Sequence, residues 1–170
     1  MKEKLKKKKW WILALVLLLL LGGFVGYKMM HKSPAELVAG SYLPDAKDAK
    51  EMSDKERKKT QEKEVDTSNF TLSIYPEATF KNGKATGELY IRNELENAYP
   101  IAVQIVEDKS GDIIYESGAI QPGYEVTEGK LLKNLKKGTY KCTAEVSIFD
   151  PDTKKYKGQT AAEMDVEVKE

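Results

Sequence analysis

Few residues in this sequence are of a type that does chemistry. There is one histidine, His31, and one cysteine, Cys142. Residues 68–170 hold no imidazole, so they contain no histidine general base, histidine triad or histidine metal site. His31 reads as a polar residue flanking an apolar segment. Cys142 falls on the inward side of an alternating run, which suits a buried structural thiol; a reactive thiol would need exposure and nearby positive charge. A single cysteine also excludes an intramolecular disulfide. Asp150 and Asp152 have a calcium-like spacing, but the glycine and distal glutamate of a calcium loop are missing. With Pro151 between them, they read as a turn. Counting leaves a carboxylate pair, such as one hydrolysing a wall polymer, open. Solvated acids on alternate strand positions are the default. There is no glycine-rich phosphate loop and no basic aromatic face for nucleic acid. Neither a metal nor a cofactor is expected.

The charge pattern divides the chain. Residues 1–67 carry 15 Lys and Arg against 10 Asp and Glu, and residues 68–170 carry 13 against 17. An acidic C-terminal part argues against nucleic acid. Residues 1–9 hold six lysines, and residues 10–27 then run for 18 positions without a charge. As a helix this run spans about 27 Å, close to a bilayer's hydrocarbon thickness. The lysines predict a cytoplasmic N-terminus and an exported C-terminus. Trp10 and Trp11 suit one interface and Tyr27 the other. A cleaved signal peptide is the rival, but Phe24 and Val25 interrupt the small residues that cleavage needs. Gly22 and Gly26 form a GxxxG spacing that would let two such helices pair, giving a homodimer.

Residues 28–67 read as a polar stalk, partly helical or disordered. Met52 and Val65 are the only large apolar residues between Asp45 and Asp66. Ser53 and Glu56 have capping-box spacing for a short helix. LPDAK at 43–47 begins like a sortase signal but lacks its Thr-Gly pair and hydrophobic tail. Docking of a partner on this charged stretch is the functional alternative.

From residue 68 the pattern has period two, the mark of half-buried strands. Phe70, Leu72 and Ile74 alternate with polar neighbours, then Pro76 interrupts. Asn82-Gly83 marks a tight turn. Leu89 and Ile91 lie on one face, as do Ile101, Val103 and Ile105. Lys109-Ser110-Gly111 and Gln121-Pro122-Gly123 are further turns. Tyr140, Cys142, Ala144, Val146 and Ile148 share a side, and Met164, Val166 and Val168 close the series. This predicts an all-β domain over 68–170, an antiparallel β-sandwich of about seven strands.

Leu135-x-x-Gly138-x-Tyr140-x-Cys142 resembles the tyrosine corner of immunoglobulin-like and fibronectin type III-like domains. The resemblance implies that the Tyr140 hydroxyl bonds to the chain just upstream. It also aligns Cys142 with the second cysteine of antibody-type domains. No partner cysteine exists and no tryptophan follows Trp11, so the likeness is to bacterial modules of this class. The wider layout is similar to a group of membrane-anchored proteins of Gram-positive bacteria. The similarity rests on the lysine-rich start, LPDAKDAKEMSDKE, and LKKGTYKCTAEVSIFDPDTKKYKG. It implies a cell-envelope location.

The expectation is therefore a non-catalytic, single-pass envelope protein that touches lipid through its helix and presents its sandwich to a protein or cell-wall polymer. The alternatives are a self-associating structural or sensory spacer, or an accessory subunit of a surface or conjugative transfer machine. Glu94–Tyr99, Pro122–Gly129 and Asp150–Tyr156 are the candidate contact regions.

Overall fold

The computed structural model describes residues 41–55, 57 and 70–170, all within one compact unit, Leu37–Glu170. The expected membrane segment, with Trp10, Trp11, Gly22, Gly26, Tyr27 and His31, lies outside the described residues. Among the described residues no helix is long and apolar enough to cross a membrane.

The described chain is mostly β. Nine strands form in order: β1 (Lys50–Glu51), β2 (Leu72–Ile74), β3 (Glu77–Phe80), β4 (Thr86–Asn93), β5 (Ile101–Glu107), β6 (Asp112–Ile120), β7 (Tyr124–Lys130), β8 (Gly138–Phe149) and β9 (Tyr156–Val168). They pair as one curled open sheet in the order β1-β7-β4-β3-β9-β8-β5-β6, with β2 also on β4. Besides the two-residue β1, which falls within the expected stalk, two strands were not evident from periodicity. β3 is short and follows Pro76. β7 overlaps the candidate contact region Pro122–Gly129. It is a strand of the sheet with Val126 fully buried.

The alternating residues form the core. Phe80, Leu89, Ile91, Ile101, Ile105, Ile114, Tyr115, Val126, Cys142, Ala144, Val146 and Val166 are all within one buried cluster. Burying such side chains contributes roughly 1.5–3 kcal/mol each before the cost of ordering the chain. β3 joins the two halves of the sheet. It pairs antiparallel with β4 at Thr79 and Glu88, and parallel with β9 from Glu77–Asp165 to Phe80–Val168.

At the other ends of the sheet, β6 and β7, the latter edged by the short β1, meet where the chain turns at Gln121–Gly123. Here residues 41–52, expected as part of a solvated stalk, lie along the sheet as a strap. Asp45 O accepts the amide of Ala119 (3.1 Å), and Asp48 N donates to Ser117 O (3.4 Å), both on β6. Two residues later the strap reaches β7, where Lys50 faces Glu125 and Glu51 faces Tyr124. Met52 N then donates to Gly123 O (2.9 Å), with its side chain only 3% exposed. The folded part thus begins by residue 41 rather than 68. The physical reason is that edge pairing uses backbone groups, so polar side chains can face water while the backbone is fully engaged. Arg57 N donates to Ser53 O (3.0 Å), the first bond of a helical turn after the strap.

Candidate functional site

Strand alternation on β4 sends Leu89, Ile91 and Asn93 inward and Tyr90 and Arg92 outward. Register places Arg92 opposite Glu125 of β7. Arg92 Nη2 lies 2.9 Å and Nε 3.3 Å from Glu125 Oε2, which also accepts the Tyr90 hydroxyl at 3.1 Å. Arg92 Nη2 also donates to the Tyr90 oxygen, and the guanidinium carbon is 5.2 Å from the Tyr90 ring centroid. Tyr75, just after β2, stacks on Tyr90 with centroids 4.4 Å apart and stays 59% exposed. Since Glu125 is buried, desolvation offsets much of the ion pair's Coulomb gain. What the pair supplies is geometry: it fixes Tyr90, and Tyr90 supports an exposed aromatic. Tyrosine and arginine dominate the energetic centres of protein interfaces.

The loop Glu94–Tyr99 is a candidate contact region, and several of its polar groups bond to the rest of the domain. Asn93, fully buried, donates from Nδ2 to Tyr99 O (3.0 Å) and Ile120 O (2.9 Å). Its Oδ1 accepts from Asn97 Nδ2 (2.7 Å), and Asn97 also exchanges bonds of 2.8 and 2.9 Å with the backbone of Thr71. This network ties the loop to β6 and to the chain entering β2. Within Asp150–Tyr156, Asp150 Oδ1 accepts from Thr153 N (2.8 Å), Thr153 Oγ1 (2.9 Å) and Asp152 N (3.2 Å). Those bonds, the Thr153 amide foremost, hold its carboxyl below the usual range. The aspartate shapes its own turn. Among the described residues no group of three or more His, Cys, Asp and Glu is placed to hold a metal.

Leu135 packs against the core, Gly138 opens β8, and the Tyr140 hydroxyl donates to Lys136 O (2.8 Å), four residues upstream. Cys142 is 1% exposed. Burial, and then the carboxylates of Asp108, Glu107 and Asp165, push its thiol up to about 12. It is therefore protonated and inert at neutral pH.

The strap makes its own contacts with β6. The buried Tyr115 hydroxyl donates to Asp48 Oδ2 (2.9 Å), and burial raises its pKa well above the ordinary phenol value. Gly118 lies beneath the strap at φ +68°, and a Cβ there would come within 2.5 Å of Asp45 O. Strap residues 44–47 and Ala102, Val103, Glu116 and Gly118 line a cavity of ≈ 320 Å³.

A third feature was missed in the sequence. The β3–β4 turn (81–85) and the segment 130–137, which runs from the last residue of β7 through the β7–β8 loop, touch: a Cβ on Gly83 would lie 2.2 Å from Leu135 O. Together they expose Lys81, Lys84, Lys130, Lys133, Lys136 and Lys137. Reading each segment alone hid this basic tip, which only the fold assembles. No protein-family model, curated protein or solved structure matches the chain.

Proposed function

We propose that the chain is a single-pass, membrane-anchored binding or adaptor module of a bacterial cell envelope, non-catalytic, with its folded domain outside the cytoplasm. The uncharged run 10–27 behind six lysines supports the anchor and its orientation. The resemblance to membrane-anchored Gram-positive proteins supports the location. An immunoglobulin-like or fibronectin type III-like sandwich is the reading of the domain. It is supported by the grouping of β2, β4 and β7 apart from β5, β6, β8 and β9, with β3 shared. The Tyr140–Lys136 bond supports it too.

The observation that carries the binding role is Tyr75. The residue is 59% exposed, yet its ring packs against that of Tyr90, tilted by 31°. An aromatic ordered before contact loses little entropy when a partner covers it. The domain presents this face to a protein or an envelope polymer. The test replaces Tyr75 with a photoreactive residue in the native cell, with position 163 on β9 as the comparison. One dominant adduct specific to position 75 is expected. Identical adducts from both positions would remove this face from the account.

A further inference from the structure

The charges of the domain are strongly segregated. Six of the thirteen Lys and Arg in residues 68–170 lie in segments 81–85 and 130–137, with none of the seventeen Asp and Glu. Lys133 pairs with Asp112 across 2.6 Å. The other five have no ion-pair partner among the described residues. Acids border the tip on one side: Glu88, Glu128 and Glu170 share a groove with Lys81, and Asp48 and Glu128 share one with Lys130, which leaves Lys84, Lys136 and Lys137 away from these carboxylates.

The tip is also preorganised. Asn82 Oδ1 accepts the amides of Lys84 and Ala85, both at 3.0 Å. Leu132 N donates to Ile114 O (2.8 Å), and the Tyr140 hydroxyl holds Lys136 O. The tip opens β8, whereas the strap's first described residue, Ser41, accepts the amide of Tyr156, the β9 residue that pairs with Phe149 at the far end of β8. β8 has 12 residues. Strands rise about 3.3–3.4 Å per residue, so roughly 40 Å separates the tip from the end of the domain that holds Ser41.

We propose that these two loops form a docking surface for a linear polyanion of repeating phosphodiesters without bases, a sugar- or alditol-phosphate type of polymer. This rests on the envelope-module reading and names the polymer class. Lysines contact phosphates as point charges, which suits a repeating chain that can shift its register. The loops contain no aromatic residue on which a base could stack, so nucleic acid gains nothing beyond its phosphates. Leu132, 50% exposed, is their one large exposed apolar side chain. A bilayer-inserting surface needs a broader apolar face.

The experiment uses the full chain in phosphatidylcholine nanodiscs. It titrates poly(glycerol phosphate), polygalacturonate, and vesicles of phosphatidylcholine with and without phosphatidylglycerol. The lysines of residues 1–9 also attract polyanions, so the readout is the difference between variants. Binding of poly(glycerol phosphate) should weaken with salt. Lys136→Gln with Lys137→Gln should weaken it roughly tenfold at low salt and flatten the salt dependence. Lys81→Gln with Lys84→Gln should act in the same direction. Lys155→Gln with Lys157→Gln, at the other end of β8, should leave it unchanged. Unchanged binding in both loop variants, with melting temperatures preserved, overturns the proposal. So does tighter binding of polygalacturonate or of the phosphatidylglycerol vesicles. If the tip fails while position 75 still captures a partner, only the polymer assignment falls.

Discussion

The curled sheet has two joins, and they are built from opposite materials. Where β3 meets β9, four residue pairs run in parallel, and Ala78, Phe80, Val166 and Val168 are all at most 1% exposed. At the other join, the strap over β6 and β7 contributes backbone hydrogen bonds, one buried side chain at Met52, and the Asp48–Tyr115 bond. The first join rests on apolar area. The second rests on pairing of edge strands, which needs no hydrophobic pattern. A fold can therefore be completed by a segment whose composition reads as solvated stalk.

The widest break in this comparison is at the apolar join. Phe80→Ala removes a fully buried ring and should cost about 3–5 kcal/mol, seen as a lower denaturant midpoint with the strap bonds still present below it. Alkaline pH also attacks the apolar side. The thiol of Cys142 is raised in the folded state to about 12, so folded protein keeps its proton after the unfolded chain has lost it. Stability is complete below the ordinary thiol pKa of about 8.5 and falls as pH rises from there toward 12. By that point the loss is on the order of a few kcal/mol. Cys142→Ala should flatten this stretch of the pH–stability curve, and an unaltered slope would mean that the thiol is not its source.

At the strap the sharpest probe is Gly118→Ala. It places a Cβ against Asp45 O and holds alanine at positive φ, costing about 1–3 kcal/mol. Unlike Phe80→Ala, it should release residues 41–52 to limited proteolysis while β8 and β9 stay intact. Tyr140→Phe is the smallest. It removes the bond to Lys136 O and should lower stability by about 1 kcal/mol, with the proton signals of residues 130–137 changing most.

These contrasts also explain what was readable from sequence. The alternation of β8 and of the last residues of β9 was legible, because one buried face imposes period two there, whereas β5 is buried on both faces from Ile101 to Ile105 and read as half-buried. β3 was too short to show a period, and Gly129 in β7 meets the ring of Tyr115 where a side chain could not fit. The parallel pairing of β3 with β9 leaves no local sign. Among the site residues, the Leu135–Cys142 motif pointed to the end of the sheet that carries the basic loop. The Tyr75–Tyr90–Arg92–Glu125 array was hidden, because it needs the register of three strands. Met52 was noticed only as an isolated apolar residue, since nothing nearby in sequence shows that it meets Gly123.

The central claim is that the strap is part of the fold. Hydrogen exchange on the full chain tests it most directly, residue by residue. The amides of Asp48, Met52, Ala119 and Tyr156 all take part in strap bonds and should exchange slowly, within reach of the rates in β8. Exchange of Asp48 and Met52 at the rate of an unstructured peptide, while β8 stays protected, would contradict the account and return residues 41–55 to the stalk.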